Sequence, residues 1–415
     1  MAHYLYIYLE NQKIMKSKAL YLILLSVTLM GCRFGNHKPT TGDLPVIDLS
    51  KNYPKKEIRI QDIADVEYIP LETIDDVLLD YNSSVSYISD NYIIVNSIPK
   101  GGVCIFNRKG ELISHFEHRG NGPKEYIMSN NVLFDEKNME IFVLDGMTQR
   151  FLIYTINGEY KRSFTYSKDL YGLIYVYDCE NGKILVYSDF VPPVNSDYVY
   201  RTRPYMIMSK QDGSIVDTID ILLNVRYSQF VYDEVDLGGG KKGTVSNRFS
   251  ISQNNTYNGR DFVIADASSD TIFRLTQNGE LTPMLVRTPS VHSSDPPMVW
   301  SNMLVTDKFI VLYTTVFDKV ALDKGRSIPY KILMYEFETG QTYQVDFIND
   351  DYKPGGGHPH LYQQVNNAKV PKNMYVDLVW PTRLKEYYEA KKSKGEIEKI
   401  PDEEDNPVVV IYQFK

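Results

Sequence analysis

A hairpin recurs five times along this chain, and it leaves few folds open. The copies are Val103-Cys104-Ile105-Phe106-Asn107-Arg108-Lys109-Gly110-Glu111-Leu112-Ile113; Phe151-Leu152-Ile153-Tyr154-Thr155-Ile156-Asn157-Gly158-Glu159-Tyr160; Tyr205-Met206-Ile207-Met208 through Asp212-Gly213 to Ile215-Val216; Thr271-Ile272-Phe273-Arg274-Leu275 through Asn278-Gly279 to Leu281; and Ile332-Leu333-Met334-Tyr335 through Thr339-Gly340 to Tyr343 and Val345. In each, β-branched and aromatic residues that suit a pleated, half-buried surface flank a turn whose glycine supplies the positive φ a tight hairpin needs. The 33 tyrosines strengthen that bias toward strand. The turn glycines, at 110, 158, 213, 279 and 340, are 48, 55, 66 and 61 residues apart. That is a propeller-blade period lengthened by insertions, whereas a sandwich would show shorter and more even spacing.

An inner pair of strands is expected ahead of each hairpin, for example 85–89 with 92–96, 132–134 with 140–145, 173–177 with 183–188, and 303–306 with 309–314, while 262–265 precedes the fourth hairpin. Two inner and two outer strands make a four-stranded blade. The ends supply a sixth: Pro407-Val408-Val409-Val410-Ile411-Tyr412-Gln413-Phe414 lacks a hairpin partner, and so does Val66-Glu67-Tyr68-Ile69-Pro70-Leu71-Glu72. Pairing them removes two exposed strand edges and locks the ring, and Pro70 is tolerated on such an outer strand because no ladder bond is asked of it. The fold expected is therefore all-β: a six-bladed β-propeller closed by its amino- and carboxyl-terminal strands, over residues 44–415.

At the amino end, Met15, Lys16 and Lys18 precede an apolar run over 19–30 that ends in Leu29-Met30-Gly31-Cys32. A basic start and about a dozen apolar residues make a secretory signal, since a membrane-spanning helix needs roughly 20. The four residues ending in Cys32 resemble a bacterial lipobox, which implies lipidation of Cys32 and a membrane as partner through that anchor. Residues 1–14 carry Tyr4, Tyr6, Tyr8 and Glu10, which suit a signal poorly, so Met15 is the better initiator. Residues 1–31 are thus read as a signal peptide and 32–43, rich in small and polar residues, as a flexible tether.

The formal net charge of −8, with no strongly basic cluster, argues against nucleic acid as a partner. Beyond Cys32 only Cys104 and Cys179 remain, in different repeats, and two separate buried thiols are expected.

Tyr68-Ile69-Pro70-Leu71-Glu72-Thr73, the segment His118-Arg119-Gly120-Asn121-Gly122-Pro123-Lys124-Glu125-Tyr126 and the closing 407–414 together resemble the six-bladed propeller lipoproteins abundant in Bacteroidetes, related in shape to NHL-type propellers. The resemblance covers the whole chain after the tether. It implies a cell-envelope location, as an outer-membrane lipoprotein facing either the periplasm or the surface. Lys124 stands where the family motif usually has glycine.

Fold alone assigns no chemistry, because propellers host lyases, lactonases, binding modules and scaffolds alike. The candidate ligand-binding loop is 118–126, with His118, Arg119, Asn121, Glu125 and Tyr126 as its polar groups; the alternative is that Gly120, Gly122 and Pro123 shape a crossover between blades while Glu125 caps backbone N–H groups. His358 and His360, in Gly355-Gly356-Gly357-His358-Pro359-His360, are weak metal candidates, having no carboxylate or cysteine nearby. The insertion 223–247 is expected to be a solvated loop, 384–392 a short helix, and the acidic run 402–405 a solvated linker. No nucleophile elbow, zinc helix motif, EF-hand loop or dinucleotide fingerprint is present, and no cofactor is evident. Two readings stay open: a binding or scaffold module for an envelope protein, glycan or peptide, and a metal-dependent hydrolase or lyase with its site at the central channel.

Overall fold

A blade packed between two others is buried on both faces, which is why its middle strands are apolar at nearly every position. In blade 2, Glu140–Asp145 and Arg150–Thr155 expose little beyond their ends, whereas the outer strand Tyr160–Thr165 buries only Phe164. The computed structural model describes residues 44–97, 101–170, 172–191, 200–236, 242–248, 255–259, 261–352, 368–397 and 400–415.

The described chain begins with β1 (Val46–Asp48) and β2 (Lys55–Arg59), and a one-turn helix α1 (Ile60–Ile63) leads into β3 (Ala64–Pro70). Blade 1 is β4 (Ser83–Ile88), β5 (Tyr92–Ser97), β6 (Gly102–Asn107) and β7 (Leu112–Glu117). Blade 2 is β8 (Asn131–Asp135), β9 (Glu140–Asp145), β10 (Arg150–Thr155) and β11 (Tyr160–Thr165). Blade 3 is β12 (Leu173–Asp178), β13 (Lys183–Ser188), β14 (Tyr205–Ser209) and β15 (Ile215–Thr218). A separate hairpin, β16 (Phe230–Asp236) with β17 (Lys242–Arg248), follows. Blade 4 is β18 (Asn255–Asn258), β19 (Asp261–Ile264), β20 (Thr271–Leu275) and β21 (Leu281–Thr288). Blade 5 is β22 (Met298–Val305), β23 (Phe309–Val316), β24 (Tyr330–Glu336) and β25 (Thr342–Ile348), with helix α2 (Lys319–Asp323) inserted. The sixth sheet orders β26 (Met374–Val379), β27 (Val408–Phe414) and β3, with helix α3 (Lys385–Ser393) between the first two.

Six apolar cores join these sheets in a ring. Ile105 and Phe116 meet Phe134 and Leu152 between blades 1 and 2, Phe142 and Ile153 meet Val176 and Met206 between 2 and 3, and Leu185 and Tyr205 meet Phe262 and Leu275 between 3 and 4. Val263 and Leu285 meet Trp300 and Leu312 between 4 and 5, Val311 and Val345 meet Val410 and Tyr412 between 5 and 6, and Val376 and Val409 meet Val85 and Val95 to close the circuit. The protein is a six-bladed β-propeller.

Closure takes the expected form. β3 runs antiparallel along β27, with Pro70 opposite Val408 and Ala64 opposite Phe414, and it is the outer strand of its sheet. Asn406 secures the junction: its Nδ2 donates to the carbonyls of Glu72 (2.9 Å) and Val77 (2.8 Å), and its Oδ1 accepts from the Leu79 amide at 2.9 Å. All five turn glycines have φ between +68° and +84°, as a tight turn demands.

The amino-terminal chain does more than the sequence suggests. β1 adds in parallel to the outer edge of blade 4, with Ile47 opposite Arg287, and β2 adds in parallel to blade 5, with Glu57 opposite Asp346. With β3 in the sixth sheet, one strap therefore crosses three consecutive blades. The 223–247 insertion also departs from expectation: Phe230–Asp236 pairs antiparallel with Lys242–Arg248, with Val231 opposite Asn247, Asp233 opposite Val245 and Val235 opposite Gly243, rather than forming an open loop, because the strand-prone Phe230, Val231, Tyr232, Val235, Thr244 and Val245 outweigh the glycines. The helix expected at 384–392 is α3. Cys104 and Cys179 are both free thiols, and burial pushes that of Cys179 up to about 12. No helix among the described residues is long and apolar enough to cross a membrane.

Candidate functional site

Because strands alternate in direction, the turn between second and third strands and the crossover to the next blade lie on one face of the ring; the remaining turns lie on the other. The 118–126 loop is the crossover from blade 1 to blade 2, on the first of these faces. Its own hydrogen bonds shape it: the Gly120 amide donates to the Tyr126 carbonyl (3.0 Å), the Tyr126 amide to the His118 carbonyl (3.0 Å), and the Gly122 amide to Glu125 Oε2 (2.8 Å). Tyr126 is fully buried, accepts from the His118 amide at 3.1 Å and donates its hydroxyl to the Gly101 carbonyl. The His118 ring stacks on Phe116 and Tyr154, 5.4 and 5.0 Å away, with Nε2 2.7 Å from the Gly158 carbonyl oxygen. Blade 2 grips the loop from outside, Arg150 Nη2 donating to the Glu125 carbonyl at 2.9 Å and Tyr154 Oη to that of Lys124 at 2.8 Å. Arg119 and Asn121 are the two of the five candidate residues that face solvent.

A second polar construction lies on the same face between blades 3 and 4, and no motif signals it. Acids stand where second strands end. Asp145 accepts from the Ile127 amide (3.0 Å) and Thr148 Oγ1 (2.6 Å), Asp189 from Tyr187 Oη (3.2 Å) and Ser228 Oγ (2.9 Å), and Asp266 from Tyr205 Oη and the Ser268 amide (both 2.8 Å). Burial pushes the Asp189 carboxyl up to about 7, since removing water disfavours the charged form. Across this sheet end runs the segment from Arg226 to Gln229. Arg226 Nη2 donates to the Ser188 carbonyl (2.6 Å) and Tyr187 Oη (3.1 Å), and Gln229 Nε2 donates to Tyr175 Oη at 2.7 Å. Arg226 Nε and Gln229 Oε1 are buried without a hydrogen-bond partner. Both are single residues whose burial depends on strands remote in sequence, so only a three-dimensional view finds them.

The opposite face carries a network of charge pairs. Lys210 bridges Asp135 (2.7 Å) and Asp178 (2.6 Å), joining blades 2 and 3, while Lys369 reaches Asp178 at 2.8 Å. Lys369 itself is laid along blade 1: its carbonyl accepts from the Ile88 amide at 3.0 Å, and its amide donates to the Ser86 carbonyl at 3.1 Å. Its neighbour Val370 packs against the core between blades 6 and 1 and that between blades 3 and 4, so this stretch spans the central channel there.

His358 and His360 lie outside the described residues, as does Cys32. Among the described residues no three His, Cys, Asp or Glu side chains gather closely enough to hold a metal ion. Toward the crossover face lie guanidinium, amide and tyrosine hydroxyl groups, buried at Arg226, Gln229, Tyr175 and Tyr187 and exposed at Arg119 and Asn121, of the kinds that recognise oxyanions and hydroxyl-bearing ligands.

One solved structure shares this overall fold. A protein described as exported, from Bacteroides fragilis NCTC 9343, matches 89% of this chain and 99% of its own at 13% identity and a TM-score of 0.55. A member of the DUF4221 family from Bacteroides vulgatus matches over 85% and 97% of the two chains, at 10% identity and a TM-score of 0.47. No curated protein matches. One family model, described as a domain of unknown function (DUF4934), matches residues 44–413.

Proposed function

Since the chain belongs to the DUF4934 family, a set of domains with no assigned activity, we propose that it is an exported, lipid-anchored, NHL-like propeller that serves as a binding or scaffold module of the bacterial cell envelope. In this reading residues 1–31 are the signal peptide, Cys32 carries the lipid, 32–43 are the tether and 44–415 the propeller. Its support is the signal-like run ending in Leu29-Met30-Gly31-Cys32 and the likeness in fold to a Bacteroides protein described as exported. The observation that carries the binding role is the crossover face. It holds buried donors and acceptors left without partners beside Tyr187, Tyr175 and Ser228, an arrangement costly to the fold unless a ligand completes it. Arg119 and Asn121 extend that surface from the blade 1 crossover, with His118, Glu125 and Tyr126 holding the loop in shape; the ligand is a glycan or peptide of the envelope.

Two measurements test this. In a Bacteroides host the full chain is expected to sediment with membranes and take up labelled palmitate, and Cys32→Ser to lose both; a Cys32→Ser protein that stays lipid-labelled and membrane-bound refutes the anchor. Glycan and peptide arrays probed with the purified protein are expected to give saturable binding that weakens on Arg226→Met. Failure to bind any array member overturns the module.

A further inference from the structure

Arg287 is a buried cation whose far end has nothing to hold. It lies on β21, the outer strand of blade 4, and its side chain has no exposure to solvent. Its near atoms are engaged: the amide donates to the Asp270 carbonyl at 2.9 Å, and Nε donates to the Pro289 carbonyl at 3.2 Å. The Asp270 carboxylate is 3.6 Å from Nε and accepts instead from the Val291 amide at 2.7 Å. Nη1 and Nη2 are buried with no acceptor.

The guanidinium is held in place rather than loose. It packs over the ring of Trp300, 5.7 Å from its centroid, and Trp300 is itself fixed by Nε1 donating to the Ser269 carbonyl at 3.0 Å. Half-buried Tyr227 lies near enough to feel the Arg287 charge, and its ring is 5.1 Å from Phe317 and 6.2 Å from that of His292. Burial pulls the Arg287 guanidinium down to about 10. Asp270 offsets part of the charge, but buried N–H groups left without acceptors carry a desolvation cost, so the fork of Nη1 and Nη2 is an unfilled half of a bidentate pair.

We propose that Arg287 is the oxyanion-holding residue of a ligand site beneath the crossover between blades 4 and 5, and that the ligand is a sugar or peptide bearing a carboxylate. The planar carboxylate matches the guanidinium fork, and Tyr227 with exposed His292 supplies the aromatic surface for the attached ring or side chain. Crossover residues 289–297 shift to admit it. The inference rests on the binding-module reading and adds the chemical class of what is bound.

Thermal melts of the purified protein against D-glucuronate, D-glucose, inorganic sulfate and inorganic phosphate test it. The melting temperature is expected to rise with glucuronate and stay unmoved by glucose; sulfate and phosphate show whether another oxyanion is taken in the same fork. Arg287→Met is expected to abolish the response, Arg287→Lys to weaken it at least tenfold by losing the fork while keeping the charge, and neither to melt lower than wild type in plain buffer. Equal response to glucose and glucuronate, no response at all, or a destabilised Arg287→Met that still responds overturns the proposal and leaves Arg287 a strut of the blade. Array binding confined to neutral ligands and indifferent to Arg287→Met sinks this inference while the module reading stands.

Discussion

Replacing Gly158 with alanine adds one methyl group, and the structure says where it goes. Gly158 has φ +82°, and a Cβ there would come within 2.6 Å of Phe116 Cβ and 2.8 Å of Phe116 Cγ, on the outer strand of the preceding blade. Two costs are therefore superposed. The left-handed backbone alone costs a residue with a Cβ about 1–2 kcal/mol. Carbon atoms prefer roughly 3.5–4.0 Å, so blade 1 must also give way by about 1 Å, and overpacking of that kind costs about 1–3 kcal/mol. Two further glycines separate the contributions: Gly182 has φ +74° with nothing within 4 Å, and Gly102 has neither a positive φ nor a neighbour within 4 Å. In urea titrations Gly102→Ala is expected to lie within about 0.5 kcal/mol of wild type, Gly182→Ala to lose about 1–2 kcal/mol, and Gly158→Ala about 2–5 kcal/mol. Equal losses at 158 and 182 would refute the claim that the turn is seated against the neighbouring blade; a large loss at 102 would refute the whole geometric argument.

Two other expectations concern charge. Burial raises Asp189 from 3.8 to about 7, so the folded state holds this proton more tightly than the unfolded chain. Its stabilisation is complete below pH 4 and is lost as pH rises toward 7, at about 1.4 kcal/mol per unit or about 4 kcal/mol over the window. The stability of wild type minus that of Asp189→Asn is expected to fall by up to that amount from pH 4 to 7, and a flat difference rules the shift out. On the opposite face, Asp178→Asn removes the partner of both Lys210 and Lys369, leaving Asp135 and the more distant Glu180. Breaking so buried a pair is expected to cost about 3 kcal/mol in chemical denaturation; less than about 1 kcal/mol would show that this network does not fasten blades 2 and 3 together.

What could be read from the chain was what repeats. Gly110, Gly158, Gly213, Gly279 and Gly340 mark a turn because φ is a local property, and runs such as Ile141-Phe142-Val143-Leu144 announce burial on two faces without knowledge of the neighbour. The strap strands were not legible. Lys55-Lys56-Glu57-Ile58-Arg59 buries only Ile58, and nothing local says that its ladder partner is Gln344 to Ile348. The 118–126 loop was recognisable as a crossover or a site because glycines and proline cluster there. Arg226 and Arg287 were not, since an isolated arginine is ordinarily a surface residue and becomes notable only when distant strands have covered it.

The strap also sets an order of events. Blades 1, 2 and 3 draw on hairpins close in sequence, but β1, β2 and β3 wait for partners made much later: Lys56 in β2 pairs with Glu336, 280 residues on, and Pro70 in β3 lies opposite Val408. Such separations slow folding. The amino-terminal strap is thus among the last parts to be satisfied: β1 waits for β21 of blade 4, β2 for β25 of blade 5, and β3 for β27 at the far end of the chain. The ring therefore locks only when the last strand of the chain is laid against the strand that precedes its first blade.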